Sequence, residues 1–206
     1  MYEKCLKPEV GLSLMVYSDG LSSQRNSFEE TQIVNMVLEL WRKGLTSHPD
    51  FKKFFEKGVG IVIPHRAQCT AIRKRLITEF KRILPTGSYS PAEIKKVINA
   101  SVDTVERFQG QQRDIILAGY VLGNEDAISD EETFIYDSCR LNVVISRARY
   151  KAIIIASREL MDNISNDIDV LELQKAFQKL KVYCNDKTVI SEPGWNNGEL
   201  YTKEII

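Results

Sequence analysis

The sequence is poor in the residues that build metal sites and disulfide frameworks. It has only two histidines, His48 and His65, and its four cysteines form no CxxC pair. This pattern argues against a zinc site and against disulfides, and it is typical of a protein from a reducing compartment. No apolar run approaches the ~20 residues that cross a bilayer, and the segment MYEKCLKPEV lacks the apolar core of a secretory signal. We therefore expect an intracellular protein, cytoplasmic or nuclear (nucleoid), with no membrane partner.

Net charge is also absent, because 28 Lys and Arg balance 28 Asp and Glu. Any binding to nucleic acid must then depend on local basic patches rather than on bulk charge. The hydrophobic fraction of 43% and the charged fraction of 27% are ordinary for a globular protein, and 206 residues suffice for one good core. These values exclude a disordered chain.

Short aliphatic runs alternate with segments of helical period. Runs that are apolar throughout are typical of strands covered on both faces, as in a parallel sheet. The sequence SFEE predicts a helix that begins at Ser27 with a serine N-cap and a capping box, and two more helices are predicted at about 68–83 and 167–182. We expect a doubly wound α/β domain. The predicted strands are 12–17, 60–63, 97–102, 114–121 and 152–156.

Two segments have turn or loop composition instead. The acidic stretch GNEDAISDEE, residues 123–132, predicts an exposed loop. The segment after Cys184 has Pro-Gly and Asn-Asn-Gly turns and little core signal. We therefore expect residues 1–183 to form the domain and residues 184–206 to form a C-terminal tail.

Two further segments carry the chemical information. TVERFQGQQRD, residues 104–114, is a polar loop between two predicted strands, which by itself is either a ligand loop or simple turn chemistry. RLNVVISRAR, residues 140–149, sets three arginines into an apolar run. If it is helical, Arg140 and Arg147 share a face and could clamp a polyphosphate. The alternative is that both pair with acids such as Asp126 and Asp130.

Taken together, the two segments resemble the second motor lobe of a superfamily I helicase, in the branch of the nonsense-mediated-decay helicase and senataxin. That branch has T/S-x-D/E-x-F-Q-G-x-E followed by R-L-N-V-x-x-T/S-R-A-R/K, which here read TVERFQGQQ and RLNVVISRAR. GIVIPHRAQ, the N-x-x-E pattern at Asn26 and Glu29, and the opening YEKCL fit the same resemblance. It covers about residues 2–160 and implies a parallel-sheet RecA-like domain of the P-loop NTPase type, with helices on both faces.

The resemblance implies roles for the residues that match its motifs. Arg147 matches the arginine finger that reaches the γ-phosphate of ATP across the cleft between two lobes, and such a finger is typically worth ~10³ to 10⁵ in rate. Arg140 would support the same pocket or hold the helix in register, while Arg149 is expected to be at the surface or in a structural pair. Gln109 and Gly110 match the part that approaches the phosphates. Gln112 stands where the family usually has a glutamate that helps to bind nucleotide or its metal.

Single-stranded DNA or RNA would cross the top of the lobe. Thr104 matches a position that contacts the phosphate backbone, and a hydroxyl is chemically suited to that contact. His65 replaces the usual tyrosine after Pro64, and it is either a stacking platform or a structural histidine. Arg66 is a further candidate backbone contact. The basic face around Arg73 to Arg82 is expected to be mainly solvated.

The chain has no G-x-x-x-x-G-K-[S/T] segment and no strand that ends in paired acids for magnesium. In the family, the N-terminal RecA-like lobe of the same polypeptide supplies the phosphate loop and the ligands for Mg²⁺. We therefore expect one lobe of an ATP-dependent helicase that uses ATP and Mg²⁺ only in the longer protein and does not hydrolyse ATP alone. No metal ligands are predicted in this chain.

Two other functions remain open from the residues. One is a non-catalytic RecA-like module that binds nucleic acid or a protein partner, which Gln112 in place of glutamate leaves possible. The other, a nucleotide-binding α/β enzyme of another class, would need its own Gly-rich strand-to-helix turn, and the sequence has none.

Overall fold

A computed structural model of the chain describes residues 2–6, 10–108, 110–191, 195 and 197–204. The strands are β1 Gly11–Tyr17, β2 Val59–Val62, β3 Val102–Asp103, β4 Arg113–Gly119, β5 Ala148–Ser157, β6 Asp186–Ile190 and β7 Gly198–Glu204. The helices are α1 Tyr2–Leu6, α2 Ser27–Lys43, α3 Phe51–Lys53, α4 Arg66–Ile83, α5 Pro91–Ser101, α6 Val105–Phe108, α7 Glu125–Asp130, α8 Glu132–Ile135, α9 Ser138–Ser146, α10 Arg158–Asp162 and α11 Ile168–Tyr183. A π-helical turn, Phe54–Gly58, follows α3.

The described strands form one sheet in the order β3-β2-β4-β5-β1-β7-β6. Strands β1 to β5 pair in parallel, and β7 joins β1 in antiparallel register. Helices cover both faces, so the expected RecA-like α/β fold is confirmed. Four of the five predicted strands are present. The predicted helices around 68–83 and 167–182 are also present as α4 and α11.

The two faces of the sheet are separate parts of the core. Side chains alternate along β5: Ile153 and Ile155 pack with α2, α4 and α5, whereas Ala152 and Ile154 pack with the helices from α6 to α11. Burial of one such aliphatic side chain contributes about 1.5–3 kcal/mol. This two-sided burial explains why the strand sequence is apolar throughout.

The strand predicted at 97–102 was wrong. Residues Pro91–Ser101 form α5, and only Val102 and Asp103 continue as a strand. Ser90 caps this helix in a capping box with Glu93, and Ile94, Val97 and Ile98 are buried at helical spacing. The capping box that marks this helix lies before the aliphatic run, so the run considered by itself indicated a strand instead of a helix.

Three local predictions also need correction. The N-cap of α2 is Asn26 rather than Ser27, because the Asn26 side chain accepts from the backbone N–H of Glu29. The acidic stretch 123–132 is not an exposed loop: it forms α7 and the start of α8, with Ile128 buried. The helix that was considered for residues 141–149 ends at Ser146, after which the chain enters β5.

The segment set apart as a tail supplies two strands. β7 pairs with β1 along its length, and β6 pairs with β7 at the edge of the sheet. Alternating polar and apolar residues in short strands give no strong local signal, which is why composition indicated only turns. In this part of the chain, Trp195 and Leu200 are buried in the core.

Candidate nucleotide and nucleic-acid site

The parallel sheet divides the predicted site residues between its two edges. Thr104 follows the carboxyl end of β3, and His65 and Arg66 follow that of β2. Gly110 and Gln112 precede the amino end of β4, and Arg147 precedes that of β5. Because these strands run in one direction, the first group lies at one edge of the sheet and the second group at the other. We call them the carboxyl edge and the amino edge.

Arg147 caps the carboxyl terminus of α9 at the amino edge. Its backbone N–H donates to the carbonyls of Val143 and Val144, each at 3.2 Å. Its guanidinium is partly exposed and reaches only the Val143 carbonyl and the Ser146 hydroxyl, both at 3.3 Å. Among the described residues no carboxylate pairs with it. A guanidinium held in place without an acid partner can accept an anionic ligand.

The loop before β4 lies beside Arg147. Gly110 has φ +81°, a conformation that favours glycine, and nothing lies within 4 Å of a Cβ built there. Gln112 is exposed. The backbone N–H of Arg113 donates to the Arg147 carbonyl at 2.9 Å, which fixes the loop against the end of α9. Gln109, which was predicted to approach the phosphates, lies outside the described residues.

Arg113 braces this loop, a role that the sequence did not reveal. Its guanidinium donates to the Phe55 carbonyl at 2.9 Å, the Gln112 carbonyl at 3.0 Å and the Gln111 side chain at 2.9 Å. It also lies over the ring of Phe108, at 5.3 Å. Burial lowers the pKa of Arg113 from its ordinary value. A buried arginine satisfied by carbonyl oxygens holds the backbone of the loop in one conformation.

Arg140, at the other end of α9, has acid partners. It forms an ion pair with Glu106 of α6 and a second one with Asp137 at 3.4 Å, and it lies 4.0 Å from the ring centroid of Phe134. The expected alternative acids, Asp126 and Asp130, are not its partners. Seven residues of helix separate Arg140 from Arg147, or about 10 Å. In this geometry Arg140 ties α9 to α6.

The neighbours of Glu106 shift its pKa. Burial acts to raise the pKa of Glu106, but its own backbone N–H, the Thr104 hydroxyl and the Arg140 charge outweigh burial and lower it. The ion pair between Glu106 and Arg140 thus joins the two motifs. Thr104 is partly exposed at the carboxyl edge.

His65 is engaged by the acidic segment. Its Nε2 lies 2.9 Å from Glu131 Oε2, and only 10% of its side chain is exposed. An imidazole held this way has little ring surface for a stacked base, so its geometry favours the structural interpretation. Arg66, the next residue, is exposed.

A buried carboxyl group at the carboxyl edge was not predicted as a site. Glu29 is fully buried, and its Oε2 accepts from the backbone N–H of Val121 at 3.1 Å and from the Tyr17 hydroxyl at 3.1 Å. Burial raises the pKa of Glu29 to about 8, although these donors act to lower it. Val121 has φ +70°, a strained value for a β-branched residue. The N-x-x-E pattern at Asn26 and Glu29 was the available signal.

Arg149 lies in the structural pair that was expected. Its NH1 lies 3.8 Å from Asp114 Oδ1, and His48 Nε2 lies 3.1 Å from Asp114 Oδ2. Asp114 is buried at the start of β4, so this pair stabilises the amino edge beside Arg147.

The described residues form neither a metal cluster nor a membrane-spanning helix. Within the ranges given above, no three His, Cys, Asp or Glu side chains lie where they could hold a metal ion together. The same ranges contain no helix that is both long enough and apolar enough to span a membrane.

Comparison with known proteins identifies the family. A protein family described as "AAA domain" matches residues 11–159, from the start of β1 to the start of α10, which includes both edges of the site. The chain belongs to this family. The match covers well over half of the sequence and agrees with the α/β fold.

Several helicases are similar to this AAA domain in sequence. Over 153 residues, 72% of this chain, it is 31% identical to the probable helicase senataxin of Homo sapiens, of which it covers 5%. It is 29% identical over 145 residues to the putative helicase mov-10-B.2 of Danio rerio, covering 68% of this chain and 13% of that protein. It is 27% identical over 139 residues to the DNA replication ATP-dependent helicase/nuclease JHS1 of Arabidopsis thaliana, covering 68% of this chain and 8% of that protein. The chain thus spans a small part of each relative.

Proposed function

We propose that this AAA domain is the C-terminal RecA-like motor lobe of a superfamily I helicase. Residues 1–183 form the lobe, and β6 and β7, which follow it, extend its sheet. The lobe supplies the arginine finger for ATP hydrolysis and part of a track for single-stranded DNA or RNA. Its partner is an N-terminal RecA-like lobe, which supplies the phosphate loop and the Mg²⁺ ligands. Alone, the chain does not hydrolyse ATP.

One observation carries this proposal: within the described part of the chain, the guanidinium of Arg147 has no acid partner. Arg140 and Arg149 lie in the same motif, and both pair with carboxylates. Arg147 instead reaches only a carbonyl and a hydroxyl of its own helix end. A guanidinium without a carboxylate partner at an exposed edge is suited to bind the phosphate of a ligand.

The amino edge offers donors around that charge. Gly110 leaves open space above its backbone, and the exposed amide of Gln112 is close to Arg147 because Arg113 joins the loop to α9. ATP supplies the phosphoryl group that is transferred to water. Arg147 would stabilise the negative charge that develops on that group, while Gly110 and Gln112 orient the phosphates. Arg140 acts at a distance by holding α9 against α6.

The carboxyl edge is the proposed nucleic-acid side. Thr104 and Arg66 are accessible there, and a hydroxyl and a guanidinium suit phosphate oxygens. His65 holds the acidic segment through Glu131 and takes part in this track only indirectly. The two edges are connected through α9, so nucleotide state at one edge can reach the other.

The test uses a longer protein that joins this chain to its phosphate-loop lobe. We expect Arg147→Ala to lower nucleic-acid-stimulated ATP turnover by about 10³-fold or more while thermal unfolding stays unchanged. Arg149→Ala is the matched control, because it removes a neighbouring arginine that already has an acid partner. Near-normal turnover in Arg147→Ala would reject the proposal.

The non-catalytic module is the second candidate, and Gln112 in place of glutamate favours it. That module would bind nucleic acid or a protein partner with equal affinity before and after Arg147→Ala, and the wild-type protein would show no stimulated turnover. The same experiment therefore separates the two functions.

A further inference from the structure

Helix α4 carries six basic residues, and the structure divides them into two groups. Three are neutralised by neighbours. Arg73 donates to the Val102 carbonyl and lies 3.3 Å from Asp103. Arg75 donates to Thr31 at 2.8 Å and lies 3.5 Å from Glu30. Arg82 pairs with Glu79 at 2.5 Å. These three charges are used within the domain.

The other three basic residues are Arg66, Lys74 and Lys81. All are exposed, and among the described residues none has an ion-pair or hydrogen-bond partner for its side chain. With 3.6 residues per turn they lie within about 80° of one another around the helix, on the side opposite its buried residues. We call these three residues the α4 basic stripe.

The stripe is a local excess of charge in a chain with no net charge. Long side chains that lack acid partners at an exposed helix face keep their full charge available to an anion. Arg73, Arg75 and Arg82, on the flanks of the same helix, pair with acidic residues, so carboxylates do lie close to α4. They do not reach the stripe.

The stripe begins at the carboxyl edge. Arg66 is the first residue of α4 and lies four residues past the end of β2, on the edge that also holds Thr104. From there to Lys81 the helix rises about 22 Å, the length of roughly six stacked nucleotides of one strand. The stripe is therefore continuous with the proposed nucleic-acid track.

We propose that the α4 basic stripe is a second phosphate-binding surface, on which a single nucleic-acid strand continues after it leaves the carboxyl edge. This inference rests on the proposed function, since it needs a strand at that edge. Lysine and arginine contact phosphates without reading bases, so the stripe adds affinity and length dependence but no sequence preference.

The test measures binding of the 206-residue chain to fluorescein-labelled oligothymidylate of about 25 nucleotides, at several salt concentrations. The variant is Lys74→Glu with Lys81→Glu. The control is Lys175→Glu with Lys179→Glu, which makes the same change of charge on α11, on the opposite face of the sheet. Thr104→Ala probes the carboxyl edge separately. Oligodeoxyadenylate of the same length tests base preference.

We expect the stripe variant to bind about tenfold more weakly at low salt, with a salt slope lower by about 1.4 because two phosphate contacts are lost. The loss should be equal for both oligonucleotides and should shrink on a strand of about four nucleotides, too short to reach from Thr104 to Lys81. The control should bind as the wild type does.

Three outcomes overturn the inference, and they differ in what else they overturn. If the wild type binds and Thr104→Ala weakens binding while the stripe variant does not, the stripe is a solvated face and the proposed function stands. If the wild type binds no oligonucleotide of any length, the nucleic-acid track itself fails. A control that weakens binding as much as the stripe variant would also reject the stripe, because bulk charge alone would then explain the loss.

Discussion

The backbone N–H of Arg113 donates to the carbonyl of Arg147 at 2.9 Å, so the strand that follows one motif is bonded to the helix end of the other. At the opposite end of α9, Arg140 pairs with Glu106. The two motifs are therefore joined at both ends of one short helix. In this arrangement α9 ends at the amino edge with Arg147, whose guanidinium pairs with no carboxylate among the described residues.

Gly110 and Gly87 provide a matched pair of substitutions. Both have positive φ, +81° and +82°, and a Cβ at either meets nothing within 4 Å. Alanine at each should cost about 1 kcal/mol of folding free energy through backbone strain alone. Only Gly110→Ala should also lower ATP turnover in the two-lobe protein, by about tenfold or more, because it shifts the loop beside Arg147. Equal ATP turnover in the two variants would show that Gly110 has no role in the nucleotide site at the amino edge.

Gly119 should tolerate no side chain. A Cβ there would overlap Glu29 Oε1 and lie 2.7 Å from Glu29 Cδ, inside the core. We expect Gly119→Ala to lower the free energy of unfolding by about 3 kcal/mol or more, measured by urea unfolding. Gly20→Ala is the control, since nothing lies within 4 Å of its Cβ. The double variant Gly119→Ala with Glu29→Ala should recover part of the loss, and an additive result would contradict this cause.

Glu29 makes stability depend on pH. Burial raises its folded pKa to about 8, above the unfolded value near 4.3. Because the pKa of Glu29 is raised on folding, Glu29 contributes to the free energy of unfolding at low pH, and this contribution is lost as pH rises through the folded pKa. The free energy of unfolding should therefore fall between about pH 4.3 and 8, by at most ~1.4 kcal/mol per pH unit from this group. Glu29→Gln should remove that slope, and parallel wild-type and variant profiles would show that Glu29 does not titrate there.

The Glu106–Arg140 pair should be weak in energy. The two side chains are 54% and 31% exposed, so solvent screens their attraction. A double-mutant cycle with alanine at each position should give a coupling of about 0.2–1 kcal/mol. The coupling should nearly vanish in about 1 M salt. A coupling of several kcal/mol that survives high salt would mean that the pair is buried in solution.

The strands that are buried on both sides could be predicted from the sequence. Burial on both faces requires a continuous aliphatic run such as Ile153–Ile155, and such a run can be recognised in the strand's own residues. The sequence did not predict α5, whose capping box at Ser90 and Glu93 precedes the aliphatic residues. It also did not predict β7, which is stabilised by pairing with a distant strand rather than by its own composition. Local patterns predict elements with local causes and miss those that depend on a partner far along the chain.

The same distinction applies to the site. The two motifs identified the segments that meet, and the family they resemble was confirmed by the AAA-domain match. Which arginine keeps a free charge could not be read from spacing, because it depends on where Glu106 and Asp114 fall in space. For the same reason, sequence reasoning singled out only Arg66 as a candidate contact and treated the basic face around Arg73 to Arg82 as one mainly solvated surface.

The pairing of Gly198–Glu204 with Gly11–Val16 has a consequence for biosynthesis. During translation β1 emerges before β7, the strand that covers its outer edge, because β7 lies about 180 residues further along the chain. Until then β1 exposes unpaired backbone groups to other nascent chains. A nascent polypeptide stalled before β7 should therefore depend on chaperones to avoid aggregation, whereas a polypeptide that includes β7 closes that edge itself.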